Sequence, residues 1–184
     1  PRGLVVENVS IPSYHKYEKN GFKTPSGKME FTSCVLADHG LDPLPVYREP
    51  MLSPISTPEA AQDFPLILTT GARLPFFIHS RTYRIPSLQR HQPDPMADVN
   101  PADARQRGLS QGDWVLLSTS RGAVRVRANL TETVPPGVVN MYHGRPEADV
   151  NTLIDPDYRD PISGFPAFKS LLCEVKKAPE AGAA

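Results

Sequence analysis

Short apolar runs separated by turn residues dominate the chain from residue 64 onward. Residues 65–70 (PLILTT) favour β-structure and suit a strand buried on both faces, which Gly71 ends. Valines alternate with arginines in residues 123–130, as is typical of a half-buried antiparallel strand. Further strands are predicted over residues 98–100, 114–119, 138–142 and 168–175. Six short strands without long helical crossovers favour a barrel or a sandwich.

Helices are predicted to be few and short. Asn100 is a suitable N-cap directly before a proline at the first helical position, and Gly108 is a suitable C-cap. These signals predict a helix over residues 102–107, and residues 85–88 predict one further helical turn. Residues 120–122 (SRG) predict a hairpin turn between two strands.

The first third of the chain lacks a regular pattern, because prolines interrupt it repeatedly. One strand is predicted over residues 28–32, and residues 33–62 are predicted to be an extended connector. We expect this arm either to pack on the rest of a longer parent protein or to be disordered in isolation. The predicted organisation is an arm over 1–62, a barrel over 63–176 and a flexible tail over 177–184, with fraying from Lys176.

Composition excludes some classes of function. The 184 residues contain 20 Lys and Arg and 20 Asp and Glu, so the formal net charge is zero. A general nucleic-acid or membrane-surface binder would need a strong basic bias. No apolar run is long enough to span a bilayer. The chain opens at Pro1 without an initiator Met, as though cut from something longer, so cytoplasmic and periplasmic locations both stay open.

Metal-ligand patterns are missing from the sequence. Cys34 and Cys173 have no Cys-x-x-Cys spacing, and each is expected to be a small buried apolar residue, with a disulfide between them left open. The remaining candidates, His15, His39 and His91, do not pair with other ligands at metal-binding spacing. We therefore expect no metal held by this chain's own residues.

The segment that follows the first predicted strand carries anion-binding chemistry. Thr70 offers a hydroxyl, Gly71 allows close backbone approach, and Arg73 can bind a phosphate bidentately. The alternative is an ordinary strand-to-loop turn with a surface arginine. The segment matches neither the Rossmann nor the P-loop pattern.

Histidines add a second group of candidates. His79 and Ser80 are adjacent, but a Ser–His hydrolase also needs a carboxylate and an oxyanion site, which the sequence does not supply. Donation to an anionic ligand suits this pair better. His143 ends a predicted strand and is equally suited to a structural hydrogen bond or a ligand contact.

A third group lies in the last third of the chain. Asn151 can pair with the edge of a base or a pterin, Phe168 can pack on a ring, and Lys169 can offset phosphate charge. The alternative for these three residues is a surface loop and a barrel strand.

The order of the motifs resembles a known family. The series is PLILTTG (65–71), HS (79–80), IPSL (85–88), VNPADA (99–104), GDWV (112–115), SRG (120–122), PGVV (136–139), HG (143–144), NTL (151–153) and DPISG (160–164). It resembles the C-terminal molybdopterin-dinucleotide-binding domain of the dimethyl-sulfoxide-reductase superfamily of molybdenum and tungsten oxidoreductases. Residues 21–30 (GFKTPSGKME) resemble the segment that precedes that domain.

The resemblance implies a six-stranded double-psi β-barrel and a bis(molybdopterin guanine dinucleotide) cofactor between this domain and the rest of a bacterial enzyme. It implies that the metal ligand lies outside this chain and leaves room there for an iron–sulfur cluster. The cofactor contacts implied residue by residue are Thr70, Gly71, Arg73, His79, Ser80, Asn151, Phe168 and Lys169. Arg145 and Pro146 depart from the family, which often carries an aromatic residue after the His-Gly pair.

The leading hypothesis is a cofactor-binding domain of a molybdopterin oxidoreductase, without catalytic residues and inactive alone. Its partners would be the rest of the parent enzyme and an iron–sulfur electron-transfer subunit. A stand-alone subunit that docks on a separate catalytic chain is a second hypothesis. A barrel used only for protein recognition is the third.

Overall fold

A computed structural model describes residues 14–77 and 79–179. The chain divides into two compact units, one that ends at Arg48 and one that begins at Glu49. Two short helices in the first unit are α1 (Lys16–Asn20) and α2 (Cys34–Asp38). The second unit contains helices α3 (Pro58–Asp63), α4 (Pro86–Gln89) and α5 (Pro101–Gln106). No helix in the described part of the chain combines the length and apolar character needed to cross a membrane.

The strand predicted over residues 28–32 is wrong, because the segment consists of bends and coil. Local hydrogen bonds occupy its polar groups. The Thr24 hydroxyl donates to the Lys28 carbonyl at 2.6 Å, and the Glu30 carboxylate accepts from the Ser26 N–H at 2.9 Å. Such side-chain to backbone bonds compete with a sheet ladder.

The extended connector predicted over residues 33–62 is also wrong where α2 and α3 form. The Ser33 hydroxyl caps α2 by accepting from the Leu36 N–H at 3.2 Å. Pro58 stands at the first helical position of α3, which packs against the last strand of the barrel. Cys34 is exposed in α2, contrary to the expected burial, whereas Cys173 is buried, and both thiols are free.

The second unit is built on a closed barrel in the order β1-β5-β2-β4-β3-β6. Its strands are β1 (Leu66–Thr69), β2 (Met96–Val99), β3 (Trp114–Ser118), β4 (Ala123–Leu130), β5 (Val138–Met141) and β6 (Leu171–Lys177). The pairs β1–β5 and β2–β4 are parallel, and the other four pairs are antiparallel. The predicted fold class, a six-stranded barrel with few short helices, is confirmed.

Alternation along each strand fills the barrel interior. Leu66 and Leu68 point inward and are buried, whereas Ile67 and Thr69 are half-buried, so β1 is not buried on both faces as predicted. Fully burying such an aliphatic side chain contributes roughly 1.5–3 kcal/mol. The inward residues of the other strands are Ala97, Val99, Val115, Leu117, Val124, Val126, Ala128, Val139, Met141, Leu171, Cys173 and Val175.

The predicted helix after Asn100 is confirmed as α5. The Asn100 side chain accepts from the Ala102 N–H at 2.9 Å and donates to the Val134 carbonyl at 2.8 Å. It therefore caps the helix and ties it to the connection that precedes β5. Gly108 takes a left-handed conformation with φ of +62° just after the helix, as expected of a C-cap.

Strand direction places three connections between strands at one end of the barrel. At this end β1, β3 and β5 finish while β2, β4 and β6 begin. We call it the upper rim, and it comprises residues 70–95, 119–122 and 142–170. The opposite end, the lower rim, comprises residues 100–113 and 131–137. All eight predicted site residues fall in the upper rim.

Candidate functional site

Thr70 links the end of β1 to the segment that precedes β6. It is 4% exposed, and both its N–H (2.9 Å) and its hydroxyl (2.8 Å) donate to the carbonyl of Phe168. The Thr70 hydroxyl proton is therefore used within the protein. These two hydrogen bonds hold Phe168 and Lys169 beside the start of the 70–95 connection.

Gly71 makes room for Lys169. A Cβ added at Gly71 would lie 3.1 Å from Cε of the Lys169 side chain. Gly71 and Lys169 are both exposed, so the ammonium group shares a solvent-facing surface with the backbone of the 70–73 turn. The arrangement brings together one cation and one accessible stretch of backbone, as the anion-binding prediction requires.

Two histidines join the two long connections of the upper rim. Nδ1 of His79 lies 3.0 Å from Nε2 of His143, and Nδ1 of His143 lies 3.2 Å from the carbonyl oxygen of Thr70. Because a carbonyl only accepts, His143 donates from Nδ1 to Thr70. When both rings are neutral, His79 must then donate to His143, which leaves Nε2 of His79 as an acceptor.

Gly144 allows this contact by its lack of a side chain. Its φ is +101°, and an added Cβ would lie 2.6 Å from the carbonyl oxygen of His79 and 3.2 Å from the Ser80 nitrogen. His79 itself adopts a left-handed conformation with φ of +52°. A strained non-glycine residue packed on a glycine backbone is often found at a binding site.

Positive charge surrounds this pair. The nearby guanidinium of Arg73 lowers the pKa of His79, and partial desolvation, His143 and Arg81 lower it further. A positive charge on His79 is therefore unfavourable until an anion arrives to offset it. Arg73 and His79 both line a pocket with His143 and Arg145.

Asn151 lies elsewhere on the upper rim, in the second of two 3₁₀ turns (Pro146–Ala148 and Val150–Leu153). Its backbone N–H and its side-chain amide both donate to Asp149, at 3.0 and 2.9 Å. The neighbouring Thr152 packs against the β3–β4 turn, since a Cβ added at Gly122 would lie 2.8 Å from it. Asn151 is thus held by Asp149, and the next residue along the chain packs on the hairpin.

Arg145 has a role that sequence reasoning missed. Its side chain is 4% exposed. The guanidinium donates to the Gln92 carbonyl at 3.1 Å, to the Pro93 carbonyl, and to the Glu147 carboxylate at 2.7 Å. This departure from the family pattern therefore clamps the segment before β2 to the segment after β5. Only its place next to the His-Gly pair could have signalled it.

Asp98, Gln92 and Tyr142 were also missed. Asp98 is 3% exposed and accepts from Asn129 at 2.7 Å and from Asn140 at 2.9 Å. Burial, together with the hydrogen bond to Asp98, raises the pKa of Tyr142 to about 12, so its phenol stays protonated. Partners of this kind come from distant strands, so no local pattern reveals them.

The side chains of the upper rim favour anion binding. His79 points its Nδ1 at His143 and not at Ser80, so the arrangement lacks the Ser–His contact that a hydrolase needs. Within residues 14–77 and 79–179, no group of three or more His, Cys, Asp or Glu side chains could hold a metal ion. Arginine, lysine, imidazole and backbone amides instead fit an anionic, acceptor-rich ligand such as a dinucleotide.

Comparison with known proteins identifies the family of this chain. A family model described as "Molydopterin dinucleotide binding domain" matches residues 66–172, which include strands β1 to β5 in full and the first two residues of β6. Acetylene hydratase of Syntrophotalea acetylenica is 34% identical over 177 residues, covering 86% of this chain and 24% of the relative. Dopamine dehydroxylase of Eggerthella lenta is 33% identical over 176 residues, covering 87% of this chain and 17% of the relative.

A solved structure agrees as well. Acetylene hydratase from Pelobacter acetylenicus superposes with a TM-score of 0.80 at 32% identity, over 91% of this chain and 26% of that protein. The chain thus spans about a quarter or less of the relatives it matches. The family predicted from the ordered motifs is confirmed.

Proposed function

We propose that this chain, which belongs to the molybdopterin dinucleotide-binding domain family, binds its cofactor with the upper rim of the barrel. The proposed contacts are Thr70, Gly71, Arg73, His79, Ser80, Asn151, Phe168 and Lys169. The observation that carries the proposal is the convergence of two connections: Thr70 bonds to Phe168, and His79 bonds to His143.

Each part of the rim suits one part of the cofactor. Arg73 and Lys169 offset the charge of the pyrophosphate, and the backbone at Gly71 approaches it without steric hindrance. Asn151 presents a planar amide held by Asp149, which suits the edge of a guanine or pterin ring. Thr70 acts as a scaffold that holds Phe168 and Lys169 in place.

The cofactor is molybdopterin guanine dinucleotide carrying molybdenum or tungsten, and when bound it supplies two-electron redox chemistry to the parent enzyme. This chain binds and orients it, while the metal ligand and the substrate site belong to the rest of the parent. The chain alone is then inactive. An iron–sulfur electron-transfer subunit is the proposed electron partner.

Hydration is a second candidate for the parent reaction, because a protein named acetylene hydratase matches 86% of this chain. The two classes differ in their need for an electron acceptor. Turnover of the loaded parent that stops when the acceptor is withheld supports an oxidoreductase. Turnover that continues without one supports a hydratase.

The test of the proposed site is cofactor retention in the full-length protein. The double variant Arg73→Gln, Lys169→Gln should retain several-fold less guanine nucleotide and metal per mole of protein, because each cation makes a charge-assisted contact. The control Arg105→Gln, Lys176→Gln removes the same charge from exposed positions outside the upper rim. Equal retention by both double variants would contradict the proposal.

A further inference from the structure

Gln92 has a buried donor without a partner. The residue is 2% exposed, and its side-chain nitrogen Nε2 is the one buried side-chain polar atom in the described residues that makes no hydrogen bond. Buried amide groups are nearly always paired, because an unsatisfied donor has lost its hydration without compensation. An orphan of this kind in a native fold calls for a ligand, a water or a functional role.

The neighbouring polar side chains of the pocket make other hydrogen bonds. Gln92 lines the same pocket as Tyr142, His143 and Arg145. His143 uses one ring nitrogen on Thr70 and the other on His79, and Tyr142 is bonded to Asp98. Arg145 carries donors only.

The remaining lining residues leave the pocket positive and partly apolar. Leu74 and Phe77 are apolar, Arg73 supplies a cation, and the guanidinium of Arg145 is paired with Glu147. Such a lining disfavours a cationic ligand and favours an acceptor-bearing, electron-rich group.

Hydrogen bonds from Arg145 hold the backbone at Gln92 in place. Arg145 donates to the Gln92 carbonyl at 3.1 Å and to the adjacent Pro93 carbonyl. The backbone of Gln92, which lines the pocket, is therefore held in place. Fixing a donor before the ligand arrives is how proteins reduce the entropic cost of binding.

We propose that Gln92 is a further cofactor-binding residue, whose side-chain amide donates to an oxygen or ring-nitrogen acceptor of the molybdopterin guanine dinucleotide. This inference rests on the function proposed above and adds to it a neutral donor between the histidine pair and Arg145. Binding would satisfy a donor that the cofactor-free protein leaves unpaired.

The arrangement has a signature that a structural glutamine lacks. Replacing Gln92 by methionine keeps the length and volume of the side chain but removes the orphan donor. The cofactor-free protein should then become more stable, while the loaded protein should lose a contact. A glutamine that merely fills space, or that bonds a permanent water, would not give effects of opposite sign.

The experiment compares Gln92→Met with Gln89→Met in the full-length protein. Gln89 is exposed in α4, three residues away, and matches the chemical change. For Gln92→Met we expect the unfolding midpoint of the cofactor-free protein to rise by about 2 °C. We also expect release of guanine nucleotide from the loaded protein to become about tenfold faster. The control should change neither quantity.

A second variant protects the test against a failure to fold. Gln92→Glu keeps the shape and, when ionised, offers only acceptors, so it should accelerate release of the cofactor. Unchanged release in both variants would overturn the proposal. A fall in the unfolding midpoint of the cofactor-free Gln92→Met protein would also overturn it, because Gln92 would then be paired before the cofactor binds.

The outcome separates this inference from the proposed function. If Arg73→Gln, Lys169→Gln loses cofactor while the Gln92 variants retain it, the upper rim is the site and Gln92 is not part of it. If all of these variants retain the cofactor, the proposed function itself fails.

Discussion

Nδ1 of His79 lies 3.0 Å from Nε2 of His143, although the two residues are 64 positions apart in the chain. The contact joins the 70–95 connection to the 142–170 connection, and the second histidine passes the hydrogen bond on to the carbonyl of Thr70. The chain of bonds is directional because the carbonyl can only accept. The state of this pair therefore links solvent-facing His79 to the buried end of β1.

The first prediction concerns pH. The pKa of His79 is lowered from its usual 6.5, first by Arg73 and then by partial desolvation. As the pH falls below about 6.5, the unfolded chain takes up this proton more readily than the folded chain. The stability present above that pH should therefore decrease until the pH passes the lower folded pKa. Chemical denaturation of the cofactor-free protein at a series of pH values measures the effect.

Two variants check the cause. His79→Asn tolerates the left-handed backbone and removes the titrating ring, so it should flatten the pH dependence of stability below about 6.5. Arg73→Gln should make the decrease in stability smaller, because it removes the main cause of the pKa shift of His79. A pH dependence identical to that of the parent sequence in both variants would rule out His79 as its source.

The second prediction concerns Gly144. Gly144→Ala combines an unfavourable φ of +101° with a Cβ placed 2.6 Å from the His79 carbonyl, which is backbone and cannot easily move. The control is Gly164→Ala, which has a φ of +68° and no atom within 4 Å of the added Cβ. We expect the control to cost about 1 kcal/mol and Gly144→Ala clearly more than that. Equal losses in the free energy of unfolding would show that the close contact with His79 is unimportant.

The third prediction concerns the buried guanidinium. Arg145→Met should lower the free energy of unfolding by about 3 kcal/mol, because it leaves the Gln92 and Pro93 carbonyls without donors. Arg105→Met, at an exposed position on α5, should cost less than about 0.5 kcal/mol. Urea denaturation of the two variants compares them directly. A small loss in the free energy of unfolding for Arg145→Met would show that the hydrogen bonds of Arg145 between the two connections contribute little to stability.

The fourth prediction concerns the buried carboxylate of β2. Asp98→Asn turns one acceptor into a donor that faces Asn129 or Asn140, so it should cost about 2 kcal/mol of stability. The matched change Asp94→Asn affects a half-exposed carboxylate paired with Arg127 at 3.1 Å, and it should cost at most about 1 kcal/mol. Thermal unfolding would refute this ranking if Asp94→Asn proved the more damaging change.

Local patterns predicted the parts of the fold that local forces decide. The valine and arginine alternation of β4 appears as inward Val124 and Val126 against outward Arg125. The cap at Asn100 formed as expected, because a side chain two residues from its partner needs no tertiary help. The β6 strand was found but placed too early, since Phe168 is held by Thr70 and not by the ladder.

Long-range pairing decided what the sequence could not reveal. The parallel register pairs Ile67 with Val138, 71 positions further along the chain, and nothing in either segment specifies the other. The histidine contact and the orphan amide of Gln92 depend on that closure. The predicted anion-binding residues lie on one rim because strand direction brings both connections that contain them, 70–95 and 142–170, to the same end of the barrel.

In the arm, a local pattern predicted a strand that does not form. An alternating segment such as residues 28–32 matches a strand pattern, but a strand also needs a neighbour to accept its hydrogen bonds. Thr24 and Ser26 satisfied part of the segment locally instead. Lys176 and Lys177 belong to β6, where they pair with β3, so the predicted fraying is wrong for these two residues. Residues 1–13, residue 78 and residues 180–184 lie outside the described structure, so the expected behaviour of the extreme tail stays a prediction.

Hydrogen–deuterium exchange of the full-length protein, with and without its cofactor, tests the central claim most directly. We predict that cofactor binding slows amide exchange in residues 70–80, 142–153 and 166–170, and leaves exchange in residues 108–113 and 131–137 unchanged. The internal comparison between the upper and lower rims of one barrel controls for any general change in stability. Protection confined to the lower rim, or equal at both rims, would contradict the account.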